Sequence, residues 1–217
     1  MSRFCVVALC VLLGVAARAA EARAQGHQAP AVAYGASPAE THDGLYLRMG
    51  LGVGYLRSST NIAGSDLKLS GTAFGLDFAL GGAVTQDLII FGEFAFLSVD
   101  SPTVTYGGVS GNANGVSFDH IGFGPGIAYY IEPANVYLSG SLIFGKLQTQ
   151  QNGSNTVSGQ TDMGLGANLL VGKEWWVSPQ WGLGVALQFM LASNKDGADN
   201  ATYSTLGTSL SFSATFN

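Results

Sequence analysis

The chain has little charge, no useful sulfur and no apolar run long enough to cross a bilayer as a helix. Its two cysteines, Cys5 and Cys10, lie in the first ten of 217 residues. They leave with the N-terminal segment described below, so disulfides and thiolate metal sites are excluded together. Only 11% of residues are charged, less than half the usual share of about 25%, which is too few to coat an ordinary water-facing surface. Beyond residue 24, six basic and thirteen acidic residues remain, a net charge near −7. A nucleic-acid partner requires the opposite sign. Neither a metal nor a cofactor is expected.

The N-terminus carries Arg3, an apolar run Phe4–Ala17 and small-x-small sites ending at Ala19 and Ala24. The run falls short of the ~20 residues of a spanning helix, and its layout is that of a secretory signal over 1–24. Leu9 before Cys10 is not the small residue that lipid attachment at a cysteine requires. Residues 25–43, rich in Ala and Pro without periodicity, read as a flexible leader. From residue 44 to 217 the texture is uniform and makes one domain.

Glycine and alternation dominate that domain. In 45–56, Leu45, Leu47, Met49, Leu51, Val53 and Tyr55 alternate with Tyr46, Arg48, Gly50, Gly52, Gly54 and Leu56. A period of two is a strand signature. It recurs in 70–82, 88–98, 119–131, 136–146, 163–175, 181–191 and 204–216, which makes eight strands. The second face of each carries Gly, Ser and Asn with a few charges. It is too small and too poor in Lys and Glu to be a solvent face, so the apolar side points outward into lipid.

Strands of ~10 residues, tilted ~40°, rise ~25 Å, the height of a lipid-facing band. Without a spanning helix, only a closed barrel satisfies every backbone N–H and C=O in hydrocarbon. The expected fold is therefore all-β, an eight-stranded antiparallel up-and-down transmembrane barrel. Short turns at 83–87, 132–135 and 176–180 alternate with long polar loops at 57–69, 99–118, 148–162 and 192–203. Short periplasmic turns and long outer loops put both termini in the periplasm. A soluble barrel with an apolar calyx would need the faces exchanged.

The meander, the signal segment and the C-terminal L-S-F-S-A-T-F-N resemble small outer-membrane barrels of the outer-membrane protein A and X type. G-K-E-W-W-V-S-P-Q-W-G-L-G looks like a hairpin of such bacterial barrels. The resemblance implies a Gram-negative outer-membrane address and contact with the bilayer and lipopolysaccharide. It also implies recognition of the last strand by the barrel-assembly machinery, through Leu210, Phe212 and Phe216. The family's signal ends on an aromatic residue, whereas here Asn217 follows Phe216.

Parity assigns the remaining side chains. Trp175 and Trp181 flank a turn on the lipid side and, with Tyr129 and Lys173, form an interfacial girdle, because indole and phenol favour the headgroup boundary and a lysine stem can extend its ammonium to phosphates. Trp176 falls on the other face or in the turn, at the barrel floor. Tyr46, Phe91, Tyr130 and Tyr137 point inward and fill a narrow lumen. Arg48, Asp77 and Glu93 also point inward, so Arg48 is expected to bridge both carboxylates, with Asn168, Gln188 and Ser139 completing the hydrogen bonds.

Such a cluster is a staple that blocks the lumen or, alternatively, the gate of a narrow channel. The run G-L-G-V-G at 50–54 has no strand-to-helix context for a dinucleotide. A lipid A-modifying enzyme would need Ser, His and an acid to converge at the lipid interface. Ser117, Asp119 and His120 are the candidates, but His120 and Asp119 are immediate neighbours and fall on opposite faces. The sequence thus indicates a non-enzymatic envelope or surface-binding protein with no catalytic residues and no nameable loop ligand.

Overall fold

The computed structural model describes His42 and residues 44–151, 157–197 and 200–217. Eight long strands make the wall: β1 (Leu45–Ile62), β2 (Ser65–Ala83), β3 (Leu88–Asp100), β6 (Val116–Ile131), β7 (Val136–Gln151), β9 (Gly164–Ser178), β10 (Trp181–Asp196) and β11 (Ala201–Phe216). Each pairs antiparallel with its neighbours, and β1 closes on β11 from Leu47↔Phe216 to Ser59↔Ser204. The sheet has no free edge in the wall, as a bilayer demands. Three short strands lie beyond it: β4 (Thr103–Tyr106) and β5 (Val109–Asn112) form a hairpin on β2, and β8 (Val157–Gln160) pairs with β7.

The outward face is apolar. Leu51, Val53 and Leu210 expose 56%, 64% and 61% of their surface, while Arg48 on the opposite face exposes none. This distribution is the inverse of a soluble protein's. The wall is a transmembrane barrel of the outer-membrane type, with the orientation of faces expected from parity.

Two features depart from expectation. The strands do not stop where alternation stops: β1 and β2 continue to Ile62 and Ser65, separated by Ala63 and Gly64, both at positive φ (52° and 81°). Much of 57–69 and 99–118 is therefore hairpin rather than loop. Once outward residues leave hydrocarbon they no longer need to be apolar, but the ladder continues to satisfy the backbone. The other departure concerns His42. The expected signal segment and leader fall outside the described residues except at His42, and this residue sits buried in the barrel floor.

The β6–β7 ladder steps from Phe123↔Phe144 to Gly126↔Ser141 without pairing Gly124 or Pro125. Proline has no N–H for the ladder.

Candidate functional site in the barrel lumen

The side chains with chemistry converge inside the wall. Arg48, on β1, donates from Nη2 to Asp77 Oδ1 on β2 at 3.2 Å and lies 3.6 Å from Glu93 Oε1 on β3. Its guanidinium is flanked by the rings of Tyr137 and Phe91, 5.6 and 5.9 Å from their centroids, within cation–π range. Glu93 accepts from Asn168 Nδ2 at 2.9 Å and from the Ser141 hydroxyl. Asn168 Oδ1 accepts from Gln188 Nε2 at 2.9 Å, and Gln188 Oε1 from the Ser209 hydroxyl at 2.8 Å. One connected network thus crosses the lumen from β11 to β2.

Glycines make this packing possible, Gly50 and Gly172 among them. A Cβ at Gly50 would collide with the Asp77 carboxylate, and one at Gly172 would stand 2.5 Å from the Tyr137 ring. The structure brings Arg48, Asp77, Glu93, Asn168 and Gln188 together but substitutes Ser141 for Ser139. Ser141 is cross-strand to Asn168, whereas Ser139 is opposite Ala128 and Leu170.

Sequence reasoning missed Glu174. It is 1% exposed and accepts from Thr215 Oγ1 at 2.6 Å and from the Tyr130 hydroxyl at 3.3 Å. The lumen therefore holds three carboxylates to one guanidinium among its described residues. Glu174 shares the parity of inward Gly172, a signal hidden between Lys173 and Trp175. His42 was also missed: its Nε2 lies 3.0 Å from Asn135 Oδ1 and 3.7 Å from Glu132 Oε1. Its ring stacks on Tyr130 with centroids 3.6 Å apart and approaches Trp176 at 5.1 Å. Trp176 accordingly belongs to the floor.

Apolar layers enclose the network at both ends. Tyr46, Ile89, Phe91, Tyr130, Tyr137 and Leu170 pack at the short-turn end. Leu56, Leu97, Val99, Phe118, Leu147 and Met190 pack at the long-hairpin end. Leu97, Met190 and Leu56 converge over Gly207, within 2.8–3.4 Å of where its Cβ would stand. This second layer was not foreseen.

On the outside, Trp175 and Tyr129 are half exposed at the short-turn end, and Trp181 meets Phe216 edge-on at 5.3 Å. Lys173 donates from Nζ to the Ala134 carbonyl and lies 5.5 Å from the centre of the Trp175 ring, so part of its donor capacity is used within the protein. Leu210 and Phe212 face outward on β11. Asn217 extends the β10–β11 pairing by donating its N–H to the Gln180 carbonyl at 3.0 Å. Asp119 accepts from Ser98 (2.5 Å) and Ser117 (3.4 Å). His120 is buried on the other side of the wall, where Gly145 faces its ring. The three residues do not converge.

A closed eight-stranded wall, apolar outside and filled inside, defines the class of small transmembrane β-barrels found in bacterial outer membranes. The chain is similar to neisserial surface protein A, with 16% identity over 79% of this chain and 96% of that one and a TM-score of 0.52. It also resembles OprG of Pseudomonas aeruginosa, with 13% identity over 82% of this chain and 99% of that one and a TM-score of 0.47. The likeness to the neisserial protein establishes the fold. No family model matches the chain, and no curated protein matches its sequence.

Proposed function

We propose that the chain is a non-conducting, non-enzymatic outer-membrane protein. Its barrel is a stapled support for the hairpins at the long-hairpin end, which carry an envelope or surface-binding role. The observation behind this reading is the Arg48 network crossing the lumen between two buried apolar layers. Ions would have to displace paired charges and pass close-packed side chains at both ends. The separation of His120 from Ser117 and Asp119 supports a non-catalytic role.

Lipopolysaccharide is the partner this reading takes for the outward-facing cations, which stand among acids such as Asp66, 3.9 Å from Lys68. Of the six basic residues beyond residue 24, Arg57, Lys68, Lys146 and Lys195 lie on the outward parity at the long-hairpin end, beyond Tyr55, Phe74, Phe144 and Leu191. There they meet the phosphate level of the outer leaflet. During biogenesis, Leu210, Phe212 and Phe216 on the last strand serve the assembly machinery.

Planar-bilayer recording of the refolded barrel tests the closed state. Wild type and Arg48→Met both give a flat trace on this account, because the apolar layers persist in the variant. Discrete openings in wild type contradict it. Openings only in Arg48→Met identify the cluster as a gate.

A further inference from the structure

The lipid-facing wall is not uniform. Outward positions are large along most strands, but Gly140 on β7 and Ala167 on β9 are small, and with Pro125 on β6 they line one depression. The result is a groove of two contiguous depressions of about 450 and 480 Å³ that share Ile127, Gly140 and Leu169. One end of the groove is bounded by Tyr129, Leu138 and Val171, and Lys173 stands two residues below Val171 on the same face. Lys173 is the outward-facing cation at the short-turn end among the described residues. Glu132, the acid near the Ala134 carbonyl that Lys173 contacts, is 3.7 Å from His42.

We propose that this groove holds one anionic phospholipid of the leaflet at the short-turn end, its phosphate against Lys173 and an acyl chain over Gly140. The lengths agree. From Lys173 to Ala167 the strand advances six residues, ~20 Å at ~3.3 Å each, or ~15 Å of depth at a tilt of ~40°. That is a little over half of the ~25 Å lipid-facing band, about the depth of one leaflet's chain. The Lys173 ammonium has three donors, of which Ala134 takes one, and the lysine stem and Trp175 ring hold it at headgroup level. Charge complementarity selects an anionic lipid over a second copy of the barrel, which would bring its own Lys173 to the contact.

Native mass spectrometry tests the site. The barrel is released from micelles containing equal amounts of phosphatidylglycerol and phosphatidylcholine with identical chains. Wild type is expected to retain one phosphatidylglycerol in preference to phosphatidylcholine. Gly140→Ile fills the groove and is expected to lower retention of both lipids at least tenfold. A Cβ at this position meets only Leu169 Cδ2, at 3.4 Å. Lys173→Gln is expected to abolish the headgroup preference while leaving a chain bound.

Ala167→Leu repeats the filling test from the adjacent strand, so that a folding defect in one variant does not decide the outcome. The heat-dependent gel shift reports folding in each. Equal lipid retention in wild type and both filled variants overturns the proposal, as does a dimer that the filled variants abolish. Both readouts are independent of conductance, so failure here leaves the stapled-lumen reading standing, and the reverse also holds.

Discussion

Replacing Arg48 with Met removes the only guanidinium of the lumen network among the described residues and keeps nearly the same volume. Asp77 and Glu93, 4% and 3% exposed, then lose the cation at 3.2 and 3.6 Å. Breaking a buried pair by deleting one partner costs about 3–5 kcal/mol, because the remaining charge stays desolvated and unpaired. Two carboxylates share the guanidinium here, which places the loss toward the upper end of that range, about 4–5 kcal/mol. Asn168 and Ser141 still donate to Glu93 and moderate it.

The assay is urea unfolding of the refolded barrel in vesicles, followed by tryptophan fluorescence. With a slope of roughly 1–3 kcal/mol per molar urea, a 4 kcal/mol loss lowers the midpoint by about 1–4 M. Adding Asp77→Asn and Glu93→Gln to Arg48→Met removes the stranded charges at nearly constant shape and is expected to recover most of the shift, since neutral replacement of a whole buried ion cluster is often close to neutral. A midpoint change below about 0.5 M for Arg48→Met, or no recovery in the triple variant, refutes the ion-pair reasoning.

Three further outcomes are expected from the same unfolding assay. Leu51→Arg puts a charge on the lipid face near mid-wall and costs about 2–4 kcal/mol, whereas the same residue type is accommodated inward at position 48. Gly172→Val drives a Cβ to within 2.5 Å of the Tyr137 ring and costs about 1–3 kcal/mol by overpacking. His42→Ala removes the Asn135 contact and the stacking on Tyr130 and costs about 1–3 kcal/mol; a stability equal to wild type shows that this residue does not secure the floor.

Strand number and face were legible because lipid on one side of a wall enforces alternation that few other environments produce. The same cause hid the strand ends. At Arg57 and Ser59 the outward residues turn polar while pairing with β2 and β11 continues, so the pattern reports the hydrocarbon span and not the strand. The charge cluster was legible from parity at Arg48, Asp77 and Glu93. Which serine completes it depends on cross-strand register, and that places Ser141, not Ser139, beside Asn168. His42 left no periodic trace, because its contacts are to Tyr130, Asn135 and Trp176, distant in sequence. Leu97, Val99, Phe118 and Met190 are apolar on an otherwise small and polar face. Alternation loses contrast there, so the upper layer of the lumen could not be read from pattern alone.

Nitroxide accessibility tests the assignment of faces most directly. Labels at Leu51, Leu187 and Leu210 in the folded barrel in vesicles should relax with oxygen dissolved in hydrocarbon and remain shielded from a polar nickel chelate. Labels that collide with the chelate and are protected from oxygen would show that the apolar face does not meet lipid, and the membrane barrel with its stapled lumen would have to be abandoned.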